Sequence, residues 1–154
     1  MTKNDILRRI RYLFNYSDAK MVDIFKQADY QVEEADVIDW LRKTEDPFLI
    51  EISDKELAIF LNGLIVEKRG KREGPAPDPE KHLNNNIILR KLKIALDLKA
   101  EDIITLFASI DIKVGKPELS AFFRKPNHKS YRPVLDQYLR NFLNALQKKS
   151  VDQK

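Results

Sequence analysis

The chain has no cysteine among its 154 residues, which excludes disulfides and thiolate chemistry. Its four glycines are too few to build a glycine-rich phosphate loop. The two histidines, His82 and His128, stand far apart, and no HExxH, Cys/His cluster or EF-hand spacing exists, so no metal or cofactor is expected. A membrane span needs about 20 consecutive apolar residues. None occurs, and the opening MTKNDILRRIRYLFN breaks any apolar stretch with charges, so it does not read as a signal peptide. These absences point to a cytoplasmic protein that makes no contact with a membrane.

What is present is a chain 43% hydrophobic and 34% charged, enough for a real core under a heavily solvated surface. The charge is uneven. Residues 1–71 carry 12 Lys and Arg against 14 Asp and Glu, whereas residues 83–154 carry 14 against seven. A net charge of +4 therefore hides a basic second half beside a mildly acidic first one. That asymmetry suits an anionic partner for the second half, or mutual attraction of the halves.

The halves are also copies. Sliding the sequence by 82 residues aligns 4–64 on 86–146 without a gap, with 15 of 61 positions identical. Chance would give roughly a quarter of that, from ordinary residue frequencies. The identities include Asn4/Asn86, Arg8/Arg90, Phe25/Phe107, Asp29/Asp111, Arg42/Arg124 and the phrase Phe60-Leu61-Asn62, repeated at Phe142-Leu143-Asn144. Between the copies, Gly70, Gly74, Pro75, Pro77 and Pro79 mark an extended linker. The reading is repeat unit 1 over 1–69, a linker over 70–82 and repeat unit 2 over 83–150.

Apolar spacing within a copy is helical. Ile6, Leu7, Ile10, Leu13 and Phe14 share one face; Met21, Ile24, Phe25 and Ala28 make a second, entered through Ser17 as N-cap. Val37, Trp40 and Leu41 make a third, in a helix expected over Glu33–Lys43, and its counterpart carries Pro117 in the first turn. Leu57, Leu61, Leu64 and Ile65 make a fourth. Ser53 and Glu56 open it as a capping box, and Lys68-Arg69-Gly70 close it. No stretch reads as a strand. The fold expected is all-α: a tandem duplication of a four-helix unit, about eight helices. A unit of about 65 residues is near the lower limit for a self-sufficient core. The two units are therefore expected to pack together, or the protein to form a homodimer.

Four segments carry a family resemblance: FLNGLIVEKRGK (60–71), LNNNIILRKLKIALDLK (83–99), FFRKPNHKSYR (122–132) and DQYLRNFL (136–143). Taken in this order they resemble the YehS-like family of bacterial proteins of unknown function, built from a duplicated helical unit. Ile87 departs from the pattern, since a polar residue is expected after the asparagines. The resemblance implies the fold; it brings no reaction, cofactor or catalytic residue.

The segment with most chemistry is Phe123–Arg132. It holds Arg124, Lys125, His128, Lys129, Tyr131 and Arg132, contains Pro126 and is followed by Pro133, and no acid occurs from Ala121 to Leu135. Guanidinium and ammonium groups on a constrained loop suit phosphate, and an aromatic ring can stack on a base. Arg8, Arg9 and Arg11, with Arg90, Lys91 and Lys93, add basic faces to the first helix of each copy. The plainer reading is a solvated loop whose Arg124 pairs with an acid of the other half.

The function expected is a non-catalytic interaction module that contacts nucleic acid or another polyanion through its basic second unit. One alternative is a small enzyme with a site between the units near His128. Another is a helix-turn-helix DNA binder, disfavoured in the first copy by Glu33, Glu34, Asp36 and Asp39 on the would-be recognition helix. The pairs Glu33/Glu34 and Glu101/Asp102 read as helix-start acids, and Asp29 and Asp111 as turn formers bonding nearby backbone. Asn62 and Asn144, flanking an apolar stripe, are expected to bond a neighbouring backbone or fix which helices pair.

Overall fold

The computed structural model describes residues 1–152. Among them are eight helices and no strand: α1 (Lys3–Phe14), α2 (Asp18–Gln27), α3 (Glu34–Trp40), α4 (Asp54–Arg69), α5 (Asn85–Ala95), α6 (Ala100–Ala108), α7 (Lys116–Phe122) and α8 (Asp136–Asp152). The chain divides into unit 1, Met1–Leu83, and unit 2, from Asn84 onward. Each unit holds four helices, and α5 to α8 repeat α1 to α4.

Local signals start the helices where side chains can replace the missing backbone partners. In α1, Thr2 and Asp5 form a reciprocal capping box at 2.9 and 3.0 Å. Ser17 caps α2 by accepting from the Lys20 N–H at 3.1 Å. Ser53 and Glu56 box the start of α4 at 3.0 and 3.1 Å. In unit 2, Asn84 caps α5 and Pro117 sits in the first turn of α7. The acids at the starts of α3 and α6 act locally too: Asp36 and Asp102 accept the Glu33 and Lys99 N–H groups at 2.8 and 2.7 Å.

The core of unit 1 forms where α2 lies along α4. Phe25 meets Trp40 and Phe60 with ring centroids 5.5 and 5.2 Å apart, among buried Ile6, Leu7, Ile10, Met21, Val37 and Leu57. Unit 2 repeats the scheme with α6 along α8. There Phe107 meets Tyr138 and Phe142 at 5.7 and 6.3 Å, and Tyr138 also meets Phe122 at 5.1 Å.

One polar device recurs in both cores. Asn4, 4% exposed, donates its amide to the Trp40 and Ile50 carbonyls at 2.9 and 2.8 Å and accepts from the Ile52 N–H at 3.2 Å. Asn86 does the same to Phe122 and Arg132 at 3.0 and 2.8 Å, and accepts from Val134 at 2.8 Å. Each amide thus uses both donors and its acceptor to hold the end of the third helix and the following loop against the first helix. The neighbouring Asn85 donates to the Val134 carbonyl and to Asp136 at 2.9 and 2.7 Å. The run Asn84-Asn85-Asn86 therefore serves as cap, tie and clamp.

The third helix is shorter than its apolar spacing suggests, ending at Trp40 rather than Lys43. Its last carbonyls find donors from outside the helix. Asn4 takes Trp40, and the Arg8 guanidinium reaches Leu41 at 3.5 Å and Arg42. Helix starts are local, but this stop is set by another helix.

Scarce glycine is felt at the helix ends. Asn15, Asp29, Asp97 and Asp111 adopt left-handed φ values of 54, 59, 52 and 62°. They fall at two positions, each used in both units. After each, the next N–H reaches back to the helix, as Tyr30 does to the Phe25 carbonyl at 3.1 Å and Ile112 to Phe107 at 2.9 Å. This is the Schellman ending, in which glycine is the usual choice and Asn or Asp the tolerated one. Backbone geometry, not the side-chain turn bond expected from sequence, accounts for Asp29 and Asp111. Asp29→Gly should therefore raise stability by about 0.5 kcal/mol, as relief of left-handed strain exceeds the extra unfolded-state entropy. A urea midpoint that falls by the same amount would instead assign the carboxylate a bonding role.

Residues 70–82 contain no helix, yet the segment is anchored at its far end. Leu83 is buried and its N–H donates to Asp54 at 2.8 Å. Ala76, Pro77 and Pro79 line a cleft of about 280 Å³ with Tyr30, Ile59 and Val66. The repeated Asn62 and Asn144 part company: Asn62 is buried and Asn144 is exposed, so burial does not explain both.

Candidate polyanion interface

The clamp of Asn86 fixes the loop between α7 and α8 at both ends, through the carbonyls of Phe122 and Arg132. The Arg132 N–H adds a bond to the Ala121 carbonyl at 3.2 Å. Between these ties the loop folds on itself. The Lys125 carbonyl accepts from the His128 N–H at 2.9 Å, and His128 Nδ1 accepts from the Ser130 N–H at 2.9 Å. The side chains of Arg124, Lys125, His128, Lys129 and Arg132 are left exposed, with Tyr131 half-buried. The structure thus brings all six predicted residues onto one anchored loop.

Two clefts flank α7. Lys93, Lys116 and Arg124 line the first, of about 520 Å³, together with Phe123 and a single acid, Glu101. The Lys93 ammonium stands 5.6 Å from the centre of the Phe123 ring. Lys129, Tyr131 and Arg132 line the second, of about 640 Å³, opposite Glu118. Glu118 is occupied, since the Tyr138 hydroxyl donates to it. Burial, then that bond to an anion, push the Tyr138 hydroxyl up to about 12, so it stays protonated.

The two units differ most at their shared arginines. In unit 1, Arg42 pairs with Asp39 at 3.1 Å and Asp46 at 3.5 Å, and its guanidinium carbon lies 5.9 Å from the centre of the Phe48 ring. Arg8 pairs with Asp5 at 2.9 Å and caps α3. In unit 2 the counterparts of Asp39, Asp46 and Asp5 are Ala121, His128 and Ile87. Arg124 and Arg90 are exposed, and neither forms an ion pair among the described residues. Within unit 2, Arg124 pairs with no acid among the described residues. Reading the basic segment alone misses this loss; the aligned positions Asp5/Ile87, Asp39/Ala121 and Asp46/His128 carry the signal. Arg90 lies one helical turn after Asn86, on the face that meets the loop.

The helix-turn-helix reading finds less support in the geometry. Six residues separate α2 from α3 and seven separate α6 from α7, longer than the three or four of a helix-turn-helix turn. His128 spends Nδ1 on its own loop. Among the described residues, no group of three or more His, Cys, Asp or Glu could hold a metal ion. No helix among them is long and apolar enough to cross a membrane.

The fold defines a tandem protein, all-helical among the described residues, in which the second of two equivalent units leaves the shared arginines Arg90 and Arg124 without ion pairs. Both units match one family model, "Protein of unknown function (DUF1456)", over residues 3–70 and 85–150, and the chain belongs to that family. It is 42% identical over 147 residues to the Uncharacterized protein YehS of Escherichia coli (strain K12), a match spanning 95% of this chain and 94% of that one. This bears out the resemblance carried by the four sequence motifs. No solved structure matches the chain.

Proposed function

We propose that the protein is a non-catalytic interaction module whose second unit binds the phosphate backbone of nucleic acid. The observation that carries this reading is the contrast between Arg42, neutralised by Asp39 and Asp46, and Arg124, at the same place in the repeat with neither acid. Keeping an arginine while removing its partners leaves a desolvation-ready cation with its donors unspent. Arg90, Lys93, Lys116, Lys129 and Arg132 extend the basic surface, and Tyr131 offers a ring on which an unpaired base can stack.

Phosphate contacts release counterions, so binding must weaken steeply as salt rises. Fluorescence anisotropy with labelled duplex DNA, single-stranded DNA and single-stranded RNA would measure this. Arg124→Ala/Lys129→Ala should lower affinity for every sequence alike and flatten the log–log salt slope by about 2, or about 1 for each phosphate no longer neutralised. Absence of binding at low salt, or a double variant with an unchanged slope, would refute the reading. Tyr131→Ala should weaken single-strand binding more than duplex binding, because only unpaired bases stack.

A further inference from the structure

Three large apolar side chains stand exposed on one part of unit 1: Ile38 on α3, and Phe48 and Ile50 in the loop before α4, with 44, 72 and 52% of their surface open. They are neighbours in space as well as in sequence. The Ile50 N–H donates to the Asp39 carbonyl at 3.2 Å, beside Ile38, and Arg42 joins Asp39 to the Phe48 ring. Exposed acids lie on the same segment: Glu33 at the N-cap of α3, Glu34 and Asp36 on α3, and Glu45 and Glu51 in the loop. Glu34 lies one turn before Ile38 on the same helix face.

The same face of unit 2 has the opposite character. Over residues 33–51, seven acids face two cations; over the matching 115–133, five cations face one acid. Position by position, Glu34 becomes Lys116, Ile38 becomes Ser120, Phe48 becomes Ser130 and Ile50 becomes Arg132. Beside the basic loop, Leu135 is itself 65% exposed, an apolar counterpart for Phe48. One architecture thus presents an acidic apolar face and a basic face with an apolar edge, complementary in sign.

We infer that the acidic apolar face of unit 1 is a docking surface for the basic face of unit 2 on a second copy of this chain. Phe48 and Ile50 supply the buried centre of the contact, with the carboxylates around them meeting Lys116, Arg124 and Lys129 of the second copy. Reciprocal use of both faces makes a pair with the same contact twice. The inference does not rest on nucleic-acid binding, but its basic half shares Lys116, Arg124 and Lys129 with that surface, so nucleic acid and a second copy would compete for it.

The test exchanges the faces. Glu34→Lys/Phe48→Ser/Ile50→Arg gives unit 1 the residues unit 2 carries at those positions, and Lys116→Glu/Ser130→Phe/Arg132→Ile does the reverse. Each set is one the repeat already folds with, and circular dichroism checks that it does so here. Sedimentation of the wild-type full chain should show a pair at about 50 mM salt that dissociates at about 500 mM, where screening acts within a few ångströms. Each triple variant alone should be monomeric at low salt, because the residues at the centre of the contact no longer match and the charge contrast falls, to six acids against four cations over 33–51 in the first and to three cations against two acids over 115–133 in the second. An equimolar mixture should recover the pair. A wild-type chain that stays monomeric at low salt, variants that associate as wild type does, or a folded mixture that stays monomeric would each overturn the inference. Nucleic-acid binding by the unit 1 variant is read separately and should persist, so failure of one proposal is distinguishable from failure of the other.

Discussion

Replacing Asn4 with Asp is expected to cost unit 1 about 3–5 kcal/mol, most of what so small a helical unit has to lose. The substitution is nearly isosteric, so packing around Ile6 and Trp40 changes little. What changes is the sign of the hydrogen bonding. The Asn4 amide aims two donors at the Trp40 and Ile50 carbonyls, at 2.9 and 2.8 Å. A carboxylate would instead bring a buried charge against two carbonyl oxygens, each left without its partner. Only the Ile52 N–H, 3.2 Å from Oδ1, would keep its acceptor. The introduced carboxyl should therefore hold its proton in the folded state, with a pKa raised above the usual value of about 3.9. A raised folded-state pKa contributes stability below the unfolded pKa and loses it as pH rises through the folded one. The deficit should thus be smaller near pH 4, where the protonated acid still donates one bond, and full at pH 7. Urea titration at both values measures it, and hydrogen exchange should localise the loss to Met1–Leu83. A variant with the wild-type midpoint at pH 7 would show that the clamp is dispensable.

That clamp also marks where the sequence stops being readable. The duplication, the helix starts and the core faces are written locally: Ser17, Ser53 and Glu56 act within one turn, and Phe25, Phe60 and Leu64 fall at helical spacing. Asn4 and Asn86 are visible as an identity between copies, but their partners lie 36 to 48 residues away, beyond the reach of any periodicity. The end of α3 is hidden for the same reason, since Arg8 supplies donors from another helix. Asn62 and Asn144 look equivalent because sequence position does not report exposure, which separates them. At the basic loop the residue types are legible and their electrostatic state is not. Only the structure reveals that Arg42 is neutralised, and that comparison gives meaning to the bare Arg124.

Gly63→Ala tests the opposite limit, a substitution for which the repeat itself supplies a precedent. Gly63 aligns with Ala145, and both sit at the centre of the long fourth helix, so an exchange of glycine for alanine reads as conservative. The backbone says otherwise. A Cβ on Gly63 would stand 2.0 Å from the Ile24 carbonyl oxygen and 2.9 Å from its carbon, both backbone atoms of α2. No rotamer change relieves that contact; α2 must move away from α4 and take buried Met21, Ile24 and Phe25 with it. Alanine in a helix gains about 1 kcal/mol over glycine. Displacing a packed helix costs more, so a net loss of about 2–3 kcal/mol is expected. In unit 2, Ala145 is fully buried between helices spaced to hold it. There Ala145→Gly should also destabilise, by about 1–2 kcal/mol, through reduced helix propensity and a methyl-sized gap. Losses in both directions, read from denaturant midpoints, would mean the copies have diverged in helix spacing as well as in surface charge. A Gly63→Ala chain as stable as wild type would place α2 farther from α4 than 2.0 Å allows. The two units would then share a common scaffold, with their differences confined to the α3 and α7 faces.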